Sequence, residues 1–174
     1  MGTPKQLLEF EGKTLIRRAA EAVLGAGCDP VVVVLGAETE RSREELNSLE
    51  IEIAENREWE NGMSSSIRVG LDHLLAVEPL LDAVLIALCD QPHVTATKLK
   101  LFLDKFVAEH PPIIAAQYDG VNGVPALFAR EMFEQLGNLD GDKGARELIR
   151  QHEKAAVIDL PEGVWDVDTP ADLL

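Results

Sequence analysis

Asp90 stands at the end of Val84-Leu85-Ile86-Ala87-Leu88-Cys89, an unbroken apolar run that stops at the carboxylate and turns at Gln91-Pro92. Such a run reads as a strand buried on both faces of a helix-covered parallel sheet. Ligands of open α/β sheets sit just beyond the carboxyl ends of these strands. A carboxylate there can serve a metal ion or phosphate site, or it can simply open a turn before Pro92. Taken alone, the residues allow both readings.

Four further groups have types and spacing suited to the same chemistry. Lys5, between Pro4 and the pair Leu7-Leu8, is either a point charge for phosphates or an exposed lysine of a frayed terminus. The run Gly62-Met63-Ser64-Ser65-Ser66, with Arg68 one turn on, opens a helix. Gly62 lets a ligand approach the backbone, and the serines and free amides donate hydrogen bonds, so the run makes a cradle for an anion or a nucleobase. An ordinary N-cap accounts for one serine but not for the run. Tyr118 to Phe128 and Leu139 to Arg146 hold two glycine-rich segments, able to line an acceptor pocket or to act only as turns. Asp166 and Asp168 alternate onto one side of an extended segment before Thr169-Pro170. They either cap a helix or, in the case of Asp168, converge with Asp90 on one Mg²⁺, an ion content with few carboxylates plus substrate phosphates.

Composition narrows the field. A length of 174 residues suits one domain with a substantial core. With 31 acidic against 16 basic residues the net charge is -15, and no basic run interrupts it, which argues against nucleic acid as a partner. A phosphate-bearing small molecule remains admissible, because local cations and a divalent metal outweigh a distant acidic surface. Cys28 and Cys89 read as small buried residues, and His73, His93, His110 and His152 lie on different elements, so no zinc site is expected. No apolar stretch reaches membrane-spanning length and no signal peptide is recognisable, so the expected setting is cytoplasmic and away from membranes.

The elements that must position these groups follow from periodicity. Helices are expected from Thr14 to Leu24, about Glu40 to Leu49, Met63 to Val77, Thr95 to Glu109, near Arg130 to Leu136, Ala145 to His152, and from Pro170. Strands are expected at Val31 to Leu35, Ile51 to Ala54, Val84 to Cys89, Ile113 to Gln117 and about Ala155 to Leu160, with Tyr118 to Val124 as a loop. The alternation is that of a doubly wound α/β domain with a parallel or mixed sheet.

Read together, MGTPKQLL, WENGMSSSIRVGL, ALCDQPHVT, YDGVNGVPALF, LDGDKGAR and DVDTPADL, in this order across essentially the whole chain, resemble the MobA-like nucleotidyltransferase family. The likeness is greatest to its molybdenum cofactor cytidylyltransferase branch. The resemblance implies a three-layer α/β/α, Rossmann-like nucleotide-diphospho-sugar transferase fold with a mostly parallel sheet, forming a single domain over residues 1–174. It also implies Mg²⁺-dependent transfer of CMP from CTP to a molybdopterin acceptor, with release of pyrophosphate and molybdenum hydroxylase apoenzymes as downstream partners. By position, Lys5 would contact the triphosphate, Gly62, Met63, Ser64, Ser65 and Ser66 with Arg68 would lie along the nucleotide, and Asp90 with Asp168 would hold Mg²⁺. Lys5, Asp90 and Arg68 would be the catalytic set, and Gly123, Pro125 and Asp142 would face the acceptor. A phosphate monoester acceptor is already anionic at neutral pH, so alignment and charge neutralisation suffice and no histidine base is needed.

One departure stands out. Family members usually carry a first strand and a Leu-Ala-Ala-Gly-x-Ser-x-Arg loop immediately before Met-Gly-x-Pro-Lys, and neither occurs in these 174 residues. A domain without that strand is expected to expose apolar edges, and to bind NTP less well than a form extended upstream. Two other functions fit the same residues: a non-catalytic protein that binds or delivers the cofactor, and transfer to a different phosphorylated acceptor. Related sequences also include oxidoreductases of nicotine-derived pigments, although no dinucleotide fingerprint is present.

Overall fold

The computed structural model describes residues 4–141, 144–152, 155–167, 169 and 172. A small hairpin, β1 (Glu9–Phe10) and β2 (Lys13–Thr14), leads into α1 (Leu15–Gly25). Then follow β3 (Val32–Leu35), α2 (Thr39–Glu45), β4 (Glu52–Glu55), α3 (Met63–Val77) and β5 (Ala83–Ile86). The second half comprises α4 (Ala96–Glu109), β6 (Ile113–Tyr118), β7 (Val121–Ala129), α5 (Phe133–Gly137), α6 (Gly144–Gln151) and β8 (Ala156–Asp159). The terminal helix expected from Pro170 lies outside the described residues.

Period-two alternation in β6 explains the layering. Ile113 and Ala115 join Ala126, Phe128, Leu136 and Ile149 on the face covered by α3, α5 and α6. Ile114 and Ala116 join Leu127, Leu99 and Phe102 on the face covered by α1 and α4. From Ile113 to Ala116 both faces of this strand are therefore fully buried. A third cluster of Leu7, Ile16, Ala20, Leu35 and Leu46 lies beside them. The result is the three-layer α/β arrangement that the family resemblance implies. No helix among the described residues is long and apolar enough to cross a membrane.

Three expectations change. The sheet is mixed rather than mostly parallel: β3 runs parallel to β4 and β6 parallel to β8, while β7 is antiparallel to both β5 and β6. The reason is that most of Tyr118 to Val124 is not a loop. Asp119 and Gly120, with φ of 49° and 72°, make a two-residue hairpin turn, and the chain returns as the nine-residue β7. The run expected as a strand to Cys89 is ladder-paired only as far as Ile86. In that register the residue opposite Ala87 is Pro125, which has no N–H to give.

The sheet is also divided. Among the described strands, β3 and β4 pair only with each other, and β5 is the edge of the β5-β7-β6-β8 sheet. Between β3 and β5 lies an apolar cavity of about 510 Å³. Val32 to Val34 and Ala83 to Cys89 are consequently only half-buried, although their sequence is that of strands enclosed on both faces.

Close contact fixes the carboxyl end of β3. A Cβ on Gly36 would lie 2.7 Å from Trp59 Cβ and 2.8 Å from its Cγ, so the tryptophan rests directly on this backbone. Gly36→Ala is expected to cost about 1–3 kcal/mol by overpacking, read as a lower urea midpoint with a shifted tryptophan emission in the folded state.

Candidate active site

Four segments meet beyond the carboxyl ends of β3 and β5. A 3-10 turn at Lys5–Leu7 sits first, because buried Leu7 packs against Leu35 and Leu46. That anchor sends Lys5 Nζ to Asp90 Oδ2 at 2.8 Å and Gln6 Nε2 to the Ala37 carbonyl at 3.3 Å. Asp90 Oδ1 is buried and has no hydrogen-bond donor among the described residues. The Asp90 carbonyl accepts the Val167 amide at 2.8 Å, which lays the carboxyl-terminal segment against this turn. Asp168 itself lies outside the described residues. Gln91, nearly fully buried, donates to the carbonyls of Gly163 and Val124.

The amino end of α3 forms the other wall. Gly62, at φ 92°, turns the chain into the helix in a conformation that side chains disfavour. Ser64 and Ser65 are buried rather than presented outward. Ser65 Oγ lies within hydrogen-bond distance of the Glu58 and Gly62 carbonyls, and Asn56 Nδ2 donates to Ser65 Oγ at 2.8 Å and Ser66 Oγ at 2.9 Å. The Ser64 hydroxyl has no partner among the described residues. The serine run thus knits its own loop, and the groups it leaves for a ligand are the first backbone amides of the helix. Met63 is exposed and lies against Gly144, whose added Cβ would stand 3.2 Å from the Met63 sulfur.

Arg68 donates to the Leu139 carbonyl, pinning the loop that leads to Asp140 and Gly141. It is one turn into α3, as its spacing implies, but its guanidinium holds this loop. Asp142 lies outside the described residues. Gly123 and Pro125 occupy β7 and are buried, so they are strand residues beneath the edge rather than the tips of a loop. A Cβ on Gly123 would lie 2.5 Å from Tyr118 Oη, so any side chain there displaces the tyrosine ring.

Two residues that organise this edge escaped the motif reading. Asn56 also accepts the Glu58 amide through Oδ1, and its own amide reaches the Leu35 carbonyl, so it ties β3 to α3. An asparagine directly after a strand was the available signal. Gln91 sat inside a quoted motif without a role. Cys89, behind Asp90, has its thiol pushed up to about 11, first by burial and then by the neighbouring carboxylate. Among the described residues no three His, Cys, Asp or Glu side chains are grouped as a metal cage.

The MobA-like NTP transferase domain model matches residues 1–156. Nicotine blue oxidoreductase of Paenarthrobacter nicotinovorans is 32% identical over 167 residues, covering 90% of this chain and 77% of that protein. The manganese complex of Rv0371c from Mycobacterium tuberculosis superposes with a TM-score of 0.77 at 28% identity, over 98% of this chain and 90% of that one. A nucleotidyl transferase from Methanothermobacter gives a TM-score of 0.77 at 21% identity, over 97% and 81% of the two chains, a likeness of fold.

Asn56→Ala leaves two serine hydroxyls and the Glu58 amide without this partner, so a loss of about 1–3 kcal/mol is expected in denaturant titration. Cys89 yields a pH prediction. Its folded pKa lies above the unfolded value of 9.0, so its contribution is complete below pH 9 and disappears as pH rises through about 11. The wild-type chain should therefore lose more of its thermal midpoint between pH 9 and 11 than Cys89→Ala does.

Proposed function

The chain belongs to the MobA-like NTP transferase family and is a nucleotidyltransferase, and from that premise we propose that it transfers CMP from CTP to a molybdopterin-type phosphorylated acceptor, releasing pyrophosphate. The observation that carries this reading is Asp90 at the carboxyl edge, with one oxygen on Lys5 and the other buried without a donor among the described residues. A buried carboxylate oxygen in that state fits a divalent cation, and Mg²⁺ takes one or two protein carboxylates together with phosphate oxygens. Asp168, one residue beyond the segment that docks on the Asp90 carbonyl, is the second carboxylate in this scheme. The manganese complex of Rv0371c supports a divalent metal.

The ion, when bound, neutralises phosphate charge and polarises the α-phosphorus. Asp90 holds its carboxylate in place through Lys5, and the lysine adds positive charge where the triphosphate lies. The first amides of α3 and exposed Met63 border the nucleotide, while Arg68 keeps the 139–141 loop against the site. Gly123, Pro125 and Asp142 belong to the acceptor side. An acceptor phosphate oxygen forms the new bond to the α-phosphorus as the bond to the bridging oxygen of pyrophosphate breaks. No protein base takes part, since the acceptor is already deprotonated. Preference for CTP rests on overall likeness of motifs, as does delivery of the product to molybdenum hydroxylase apoenzymes in the cytoplasm.

The test is pyrophosphate release with Mg²⁺, molybdopterin and each of the four NTPs in turn. CTP is expected to give the highest kcat/KM, and a chelator to abolish release. Asp90→Asn should lower kcat about 100-fold or more, while Lys5→Ala should act on both kcat and KM and be partly restored by Lys5→Arg. A second reading, oxidoreduction of nicotine blue, is favoured by the 32% identity to that oxidoreductase. Turnover of nicotine blue without pyrophosphate release would select it.

A further inference from the structure

The chain has two tryptophans, and both stand exposed at the carboxyl edge. An indole is among the largest apolar surfaces a chain can bury, so two of them left in solvent at the reacting edge point to ligands. Trp59 rests on Gly36 beside the amino end of α3, on the nucleotide wall. Trp165, 64% exposed, belongs to the opposite wall. Its segment is tied to β7 by Gln91, which donates to the carbonyls of Gly163 and Val124. The Tyr118 side chain lies against both Gly123 and Gly163 and braces the same two segments. Trp165 is thereby fixed beside Gly123 and Pro125, on the acceptor side.

The indole is also held at one angle. The Trp165 amide donates to the Glu162 carbonyl, and Glu162 pairs with Lys98 of α4 at 2.9 Å. The His93 ring stands at 76° to the indole with 6.0 Å between centroids, and at 78° and 5.3 Å to Phe10. Arg18 closes the row, with its guanidinium 5.0 Å from the Phe10 centroid and its Nε on the Pro92 carbonyl at 2.7 Å. A perpendicular neighbour covers at most one face of an indole, so the other stays open. The row starts next to the reacting carboxylate: His93 is three residues past Asp90, and Val167, two residues past Trp165, donates its amide to the Asp90 carbonyl. Two residues span about 7 Å at most, so the indole stands beside the Asp90 turn.

A flat, rigid and open indole suits a flat ligand. The proposed reaction brings two planar heterocycles to this edge, the nucleobase and the pterin of the acceptor. We propose that Trp165 is the stacking platform for the pterin ring, with His93 and Phe10 as positioning residues that hold the indole. The identity of the ring rests on the transfer reading. Metal and lysine contacts treat all phosphorylated acceptors alike, so this stacking contact is what selects a flat acceptor over a sugar or alcohol phosphate.

The test titrates a pterin monophosphate, glycerol phosphate and CTP separately into the full chain with Mg²⁺, read by calorimetry, with quenching of tryptophan emission alongside. The wild type is expected to bind the pterin compound about tenfold or more tighter than glycerol phosphate. Trp165→Ala should weaken the pterin compound by about tenfold or more and leave CTP within about twofold. Trp165→Phe should restore most of the loss, and His93→Ala should lose less than Trp165→Ala. In turnover, Trp165→Ala should raise KM for the acceptor and spare KM for CTP, with an unchanged thermal midpoint because the ring is exposed. No pterin binding by the wild type, equal pterin affinity in wild type and Trp165→Ala, or an equal loss for CTP overturns the proposal. Pyrophosphate release reports separately on the transfer reading: a wild type that binds the pterin through Trp165 yet releases none keeps the platform and loses that reading.

Discussion

Asp90 and Gln91 gather the carboxyl edge through three different groups. The Asp90 carboxylate takes Lys5, its carbonyl takes Val167, and the Gln91 amide reaches both Val124 and Gly163. Strand β7, the turn that carries Lys5 and the carboxyl-terminal segment thus depend on two consecutive residues. The ion pair itself is partly exposed, at 32% and 21% for the two side chains, and a pair of that kind adds at most about 1 kcal/mol to stability. Its significance lies in orientation: it aims one carboxylate oxygen and leaves the other enclosed. Gln91 is the structural member, because its buried donor cannot be left unmatched without a cost of about 1–3 kcal/mol.

Charge makes the same edge an exception on the molecule. The chain carries a net charge of -15, so an anionic substrate meets an unfavourable field at a distance. At physiological ionic strength that field decays over about 8 Å, and within that range local groups decide. Among the described residues Lys5 and the amino end of α3 are the favourable ones, and Arg68 is committed to the Leu139 carbonyl. A divalent cation at Asp90 would therefore shift the local balance more than any described side chain.

Element positions were legible wherever a single face repeats. The α3 helix begins and ends at Met63 and Val77 as its pattern indicates, β3 falls within its aliphatic run, and β6 begins at Ile113 and runs one residue past the expected Gln117. β7 was obscured because Gly123 and Pro125 look like breakers, although Asp119-Gly120 is itself a hairpin signal. At the site, the motif reading named Lys5, Asp90 and the α3 amino end separately, and the fold is what brings Lys5 onto Asp90. The motifs did not show that the serines turn inward, since that depends on Asn56, just past the end of β4. Strand pairing is likewise a property of tertiary register, so an aliphatic run revealed a strand without revealing whether both of its edges had neighbours.

The contact between Gly36 and Trp59 bears on how this domain can change over generations. The bulkiest side chain type occupies space that exists only because the smallest residue lies beneath it. The two positions are therefore epistatic, and the order of substitution matters. The atom nearest a new Cβ at 36 is the Cβ of position 59, which every residue but glycine keeps, so a smaller residue at 59 relieves only part of the clash and the backbone there must also shift. A lineage that fixes a larger residue at 36 loses the direct route back to tryptophan at 59, so the pair acts as a ratchet on the end of β3.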